Sequence, residues 1–153
     1  MGTNFYFFTK NKAAVQQYAP YDYMLTDVPE FGYELHVGKR SYGWLPLWQA
    51  HKNGISSVKE YKAAYDTGNF KIYDEYLSEY SWEQFQKEFI DFNGGVKGVA
   101  PREKIEQDRN SRFYDPNVPE YTPISHFDYA NGRYSMDYFT DEDGYEFANH
   151  EFS

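Results

Sequence analysis

Apolar residues recur along this chain with two different periods. At the front, Asn4 opens a short run through Phe5, Tyr6, Phe7 and Phe8, and Tyr33, Leu35 and Val37 alternate with Glu34 and His36. Both patterns predict strands of one sheet. Residues 18–32, with Pro20, Asp22, Asp27, Pro29 and Gly32, have no period and read as a loop, of a length that often carries function. Tyr42 to Gln49 is strand-like again. Pro46 cannot donate a ladder hydrogen bond and marks an edge or a bulge there.

The period then lengthens. Ser57 stands three residues before Glu60, a capping box, and Val58, Tyr61, Ala64 and Tyr65 form one apolar face until Thr67-Gly68 stops the helix. Ser81 and Gln84 repeat the device ahead of Trp82, Phe85, Phe89 and Ile90, a helix that spans about 82–92 and ends before Asn93-Gly94-Gly95. Phe70 to Tyr76 between them reads as a strand with Phe70, Ile72 and Asp74 on one face. Aromatic faces of this kind are core faces first. Residues 93–123 hold three Gly and four Pro around the charged stretch Arg102 to Arg112, a short-helix candidate, and read as a long flexible connection. Tyr134 to Phe139 and Tyr145 to Phe147 are strand candidates on either side of Asp141-Glu142-Asp143-Gly144, a hairpin turn. The expected fold is α+β: a single domain over 1–153, with a mostly antiparallel sheet covered on one side by two or three helices. The acidic, aromatic segment 124–153 closes it.

Composition narrows the chemistry. With 153 residues and no Cys, disulfides, thiol catalysis and Cys-based zinc sites are excluded, so any metal must sit on His, Asp or Glu. No apolar run approaches the ~20 residues of a membrane span, and the Met1 to Tyr6 start has no signal-peptide profile, which predicts a soluble protein. The net charge of −9 is unevenly spread: residues 113–153 carry nine acids against Arg133 alone, a net of −8. Acids and aromatics interleave through that quarter. Such a field repels nucleic-acid phosphates and attracts a basic protein surface, so Asp137, Tyr138, Asp141, Glu142, Asp143, Tyr145 and Glu146 are the candidate partner-binding residues, with a solvated face as the plain alternative.

Catalytic motifs give no positive signal, since neither a phosphate-binding Gly loop, a G-x-S-x-G elbow nor an H-E-x-x-H pair occurs. His36 shares a strand face with Glu34 and follows the loop that carries Asp27 and Glu30. His51 stands at the end of the next strand. Asp27, Glu30, His36 and His51 are therefore a candidate set for zinc or manganese, with hydrogen-bonded histidines as the alternative.

Several segments carry a resemblance: Met1-Gly2-Thr3-Asn4-Phe5-Tyr6, Leu35-His36-Val37-Gly38-Lys39-Arg40-Ser41-Tyr42-Gly43-Trp44, Ile72-Tyr73-Asp74-Glu75-Tyr76, Ser81-Trp82-Glu83-Gln84-Phe85 and Gly144-Tyr145-Glu146-Phe147. Across most of its length the chain resembles a family of small phage and prophage proteins that open M-G-T-N-Y-Y and carry L-H-I-G-K-S-S-x-G-W after a C-x-x-C pair. That pair and the histidine imply a small zinc site. Here Asp27-Val28-Pro29-Glu30 stands in the approximate place of the cysteines, so the departure either removes the metal or swaps thiolates for carboxylates.

Some small acidic streptococcal phage proteins of similar appearance are anti-CRISPR inhibitors of the type II RNA-guided nuclease. The resemblance thus implies a phage-encoded, non-enzymatic inhibitor that acts in the host cytoplasm. It would bind the CRISPR nuclease or its guide complex through a basic surface, without contacting nucleic acid directly, and hinder target DNA loading or cleavage. A metal-dependent hydrolase or nuclease on the four candidate ligands is the alternative, and a phage structural or regulatory protein without catalysis is the third.

Overall fold

A computed structural model describes residues 2–92, 100–101, 120–121, 124–126 and 137–152. In chain order these form β1 (Gly2–Thr9), α1 (Lys12–Tyr18), β2 (Met24–Leu25), a 3-10 turn (Pro29–Phe31), β3 (Tyr33–Ser41) and β4 (Leu47–Gln49). Then come α2 (Val58–Asp66), β5 (Lys71–Asp74), β6 (Glu79–Tyr80) and α3 (Trp82–Phe85), which runs on into a π turn (Gln86–Ile90). Short strands β7 (Ala100–Pro101) and β8 (Glu120–Tyr121) pair with each other, and β9 (Tyr138–Thr140) and β10 (Glu146–Ala148) complete the set.

The main sheet has the order β6-β5-β1-β3-β4-β10-β9, with β2 beside the start of β3. All its pairings are antiparallel except β4 with β10. The fold is α+β. Phe5, Phe7, Leu35, Val37, Trp48, Ile72 and Phe147 form the face that the helices cover, through Val15 of α1, Val58, Tyr61 and Ala64 of α2, and Phe85, Phe89 and Ile90 of α3 and its π turn. The helix starts follow from their caps. Ser57 Oγ accepts from Glu60 N at 3.1 Å, and Ser81 and Gln84 make the full reciprocal box at 3.1 and 2.9 Å.

Ring geometry fills this layer. Phe89 is fully buried, with ring centroids 5.1 Å from Phe5, 4.8 Å from Trp48 and 5.1 Å from Phe85. The sheet lets it approach because position 38 is Gly: a Cβ there would lie 2.6 Å from the Phe89 ring and 2.5 Å from the Leu47 carbonyl oxygen. A bulge adjoins this contact. Phe5 pairs with Gly38 and Tyr6 with His36, so Val37 is the extra residue that turns its side chain inward.

The structure differs from the sequence pattern in several places. Of Tyr42 to Gln49, only Leu47–Gln49 is strand, because β3 runs on to Ser41 and Pro46 precedes the paired residues. Helix α1, capped by Asn11 Oδ1 on Ala14 N, is too short at seven residues to show a period. Strand β6 pairs with β5 as a hairpin where no strand was expected. The last two strands are displaced: Tyr138–Thr140 against the expected Tyr134 to Phe139, of which residues 134–136 lie outside the described residues, and Glu146–Ala148 against Tyr145 to Phe147. The expected connection over 93–123 and its Arg102 to Arg112 helix lie outside the described residues apart from β7 and β8. Among the described residues no helix is long and apolar enough to cross a membrane.

Phe89→Ala removes a fully enclosed ring and should lower the unfolding free energy by about 3–5 kcal/mol through transfer and cavity terms. Urea unfolding of the variant measures this directly. A loss below about 1 kcal/mol would mean that the helix packs its other face inward.

Candidate functional site

The sheet face turned away from the helices is built differently. Here Asn4, His36 and Gln49 stand side by side on β1, β3 and β4. Gln49 Nε2 donates to the carbonyl oxygens of Ala50, Ala148 and His150 at 3.1, 3.4 and 2.8 Å, which turns its Oε1 toward His36 Nδ1 at 3.2 Å. Nδ1 therefore carries a proton. His36 Nε2 lies 2.8 Å from Asn4 Oδ1. Burial drives the ring toward its neutral form, with a pKa lowered to about 4, the Gln49 bond and the nearby His51 being smaller influences. A half-turn of the Asn4 carboxamide, presenting its amino group to Nε2, satisfies that neutral ring. The Phe152 ring meets His36 edge-on at 4.8 Å and Tyr6 lies at 5.4 Å.

His51 is bound as tightly but to other partners. Its Nδ1 donates to Asp22 Oδ1 at 2.7 Å and its Nε2 to the His36 carbonyl oxygen at 2.7 Å. The Asp22 carboxyl thus lies against one edge of a buried ring whose other edge faces the β3 backbone. Tyr61 OH adds a bond to Gln49 O at 2.6 Å and a longer one to His36 O at 3.3 Å, and burial holds its phenol well above the usual range.

The zinc set expected from the sequence does not come together here. All four ring nitrogens of His36 and His51 already serve hydrogen bonds. Asp27 and Glu30 stand apart from them, Asp27 beside Glu34 and Glu30 on the 3-10 turn. Among the described residues no three His, Asp or Glu side chains are grouped to hold an ion. Sequence reasoning did not connect the histidines with Asn4, Asp22 and Gln49, whose signal was faint, a polar residue next to an aromatic run.

Residues 20–33 close over one end of this face, fastened by the Asp22–His51 pair and by Thr26 N on Gly32 O at 2.9 Å. Clefts open on either side of the 3-10 turn. One of about 520 Å³ lies among Phe8, Phe31, Tyr73, Lys10 and Lys71; one of about 240 Å³ lies over Tyr6 and Phe8, walled by Val28 and Leu77 and bearing Asp27, Glu34 and Glu75. Burial and the Asp27 charge push the Glu34 carboxyl up to about 6, and burial, Glu34 and Glu75 raise the Tyr6 phenol.

The seven residues expected to meet a partner fare unequally. Glu142 and Asp143 are exposed, while Asp137, Tyr138 and Tyr145 are half-buried, Tyr138 near His126 and His150 and Tyr145 against Trp48. Asp141 braces the turn itself. Its Oδ1 accepts from Asp143 N and Tyr145 N at 3.0 and 2.9 Å, and its Oδ2 accepts from Val58 N at 2.9 Å, at the first turn of α2. Glu146 is buried. Its carboxylate takes the Ser125 hydroxyl and His126 N, tying 124–126 to the sheet beside the Trp44–His126 stack.

Two measurements follow from this geometry. Asp141→Ala frees three backbone N–H groups and should cost about 1–3 kcal/mol in urea unfolding. A loss under about 0.5 kcal/mol would show that water replaces the carboxylate. The second is pH dependence. Between about 4 and 6.5 the unfolded chain binds a proton that half-buried His36 refuses, so the stability it contributes above 6.5 is lost as pH falls, up to about 3 kcal/mol. His126, lowered by burial to about 4, acts in the same sense. Glu34 opposes them, its contribution being complete below about 4.5 and lost as pH rises through 6. His36→Gln should flatten the pH profile of stability; identical profiles would show the ring to be hydrated.

No protein-family model, curated protein or solved structure matches the chain.

Proposed function

We propose that the protein is a binding inhibitor, of the phage-encoded kind its sequence resembles, which docks on a basic surface of a type II RNA-guided nuclease or its guide complex and hinders target DNA loading or cleavage. The observation that carries this reading is the locked acidic turn at the sheet edge. Asp141 spends its carboxylate on the turn and on α2, so Glu142 and Asp143 stand exposed on a fixed support beside edge strand β9. Lys59, 4.0 Å from Asp143, is itself exposed and neutralises that charge only weakly.

The rest of the support is electrostatic. A nuclease that holds guide and target strands presents basic channels, and a region with a net charge of −8 complements them without offering phosphates anything to bind. Charge complementarity raises the rate of encounter, whereas buried aromatic anchors set the rate of release.

Reversal of Asp137, Glu142 and Asp143 to Lys, with Asp141 left in place, should slow association with the nuclease by about tenfold or more at low salt and flatten its salt dependence. Surface plasmon resonance against the guide-loaded nuclease measures both, beside a cleavage assay. Inhibition that survives the reversal unchanged would reduce this edge to a solvated face. A wild-type protein that neither binds nor inhibits at micromolar concentration would end the assignment.

A further inference from the structure

The opposite edge of the sheet carries a feature that the acidic turn does not explain. Strands β5 and β6 are joined by a tight turn in which Leu77 N donates to Asp74 O at 3.0 Å and Asp74 N to Ser78 O at 3.1 Å. Asp74 is buried and braces this turn from within. Its Oδ1 accepts from Tyr76 N and Ser78 N at 2.9 and 3.0 Å and its Oδ2 from Tyr80 OH at 2.9 Å. Leu77 sits at φ +65°, the left-handed region that suits Gly or Asn and strains a leucine. That strain is not offset by burial, because Leu77 is 46 % exposed and its neighbour Tyr76 72 % exposed. An apolar pair is thus held rigidly outward on a backbone that disfavours it.

Beside the turn lies the 240 Å³ cleft, with Leu77 as one wall and the rings of Tyr6 and Phe8 beneath. Its lining includes Asp27, Glu34 and Glu75 and no basic residue. The raised Glu34 carboxyl records the same imbalance, since burial and Asp27 both act against its charge. Met24, opposite Glu34 in the β2–β3 pairing and also exposed, extends the apolar surface on that side.

We infer that the β5–β6 turn and this cleft form a docking surface for a partner protein that offers an Arg or Lys side chain next to an apolar hollow. The hollow takes Tyr76 and Leu77. The cation enters the cleft over Tyr6, among the Asp27, Glu34 and Glu75 carboxylates. The inference rests on the reading of the protein as a binder of a basic surface and assigns it a second contact, at the opposite edge of the sheet from the acidic turn. Charge complementarity selects the occupant, and the braced turn holds Tyr76 and Leu77 in place before the encounter, which reduces the entropy lost on binding.

Leu77→Gly separates a binding role from a folding role. Relief of the left-handed strain should raise the melting temperature by a few degrees, while release from the guide-loaded nuclease should quicken about tenfold or more. Tyr76→Ser should quicken release without the gain in stability. Asp27→Asn with Glu34→Gln should weaken binding and reduce its salt dependence. If wild type binds and these variants bind equally well, this surface is not a contact and the inhibitor reading stands without it. A melting temperature lowered by Leu77→Gly would make Leu77 a structural residue and overturn the inference. If wild type does not bind the nuclease at all, the inhibitor reading fails and the docking surface with it.

Discussion

The carbonyl oxygen of His36 occupies a stretch of β3 that no strand completes. On that side β2 pairs with Tyr33 and Glu34, and β4 pairs only from Gly38 onward, so residues 35–37 have an open edge inside the protein. A buried carbonyl without a donor is costly. His51 Nε2 and the Tyr61 hydroxyl supply what a strand would have supplied, one from the segment after β4 and one from α2. The remaining nitrogen of His51 is met by Asp22, which reaches in from the loop. One gap in a ladder thereby determines how the helix layer, the β4 connection and the loop over residues 20–33 meet. The clefts beside the 3-10 turn inherit their shape from that junction.

The two faces of the sheet obey different rules for this reason. Toward the helices, burial is apolar and shape decides, as where Gly38 gives way to Phe89. Away from them, burial is polar, and Asn4, His36 and Gln49 are each held by a named partner. Among the described residues Trp48 departs from this on the helix side, since its Nε1 is buried without a hydrogen-bond partner and is enclosed by the rings of Tyr61, Phe89 and Phe147. The indole contributes dispersion there at the expense of a donor.

What the sequence made legible was the periodic part. Strand β1, strand β3, and the capped starts of α2 and α3 are readable because Phe5, Phe7, Leu35, Tyr61 and Phe85 recur at the spacing of their element and all are buried. The candidate site was less legible, since its geometry depends on single polar residues brought together from distant segments. His36 and His51 were visible as candidates, yet their chemistry is set by Asn4, Gln49 and Asp22, which no spacing rule connects to them. The acidic quarter misled in a similar way. Charge counts treat Asp141, Glu142 and Glu146 alike, but one carboxylate caps a turn, one is exposed and one is buried against Ser125. Strand β6 and helix α1 escaped because elements of two and seven residues carry too few positions to display a period.

The parallel pairing of β4 with β10 also bears on how the chain reaches its native state. Gln49 and Ala148 are neighbours in the sheet although 99 residues separate them, and Gln49 Nε2 further depends on the His150 carbonyl. During synthesis the helices and the β1, β3 and β5 strands can assemble first, leaving the β4 edge with unpaired backbone groups and Trp48 without its Phe147 cover. That edge is a template for any extended segment nearby. Until residues 146–148 arrive to close it, any extended segment can therefore compete for that edge, and the native pairing has to win over a long loop closure.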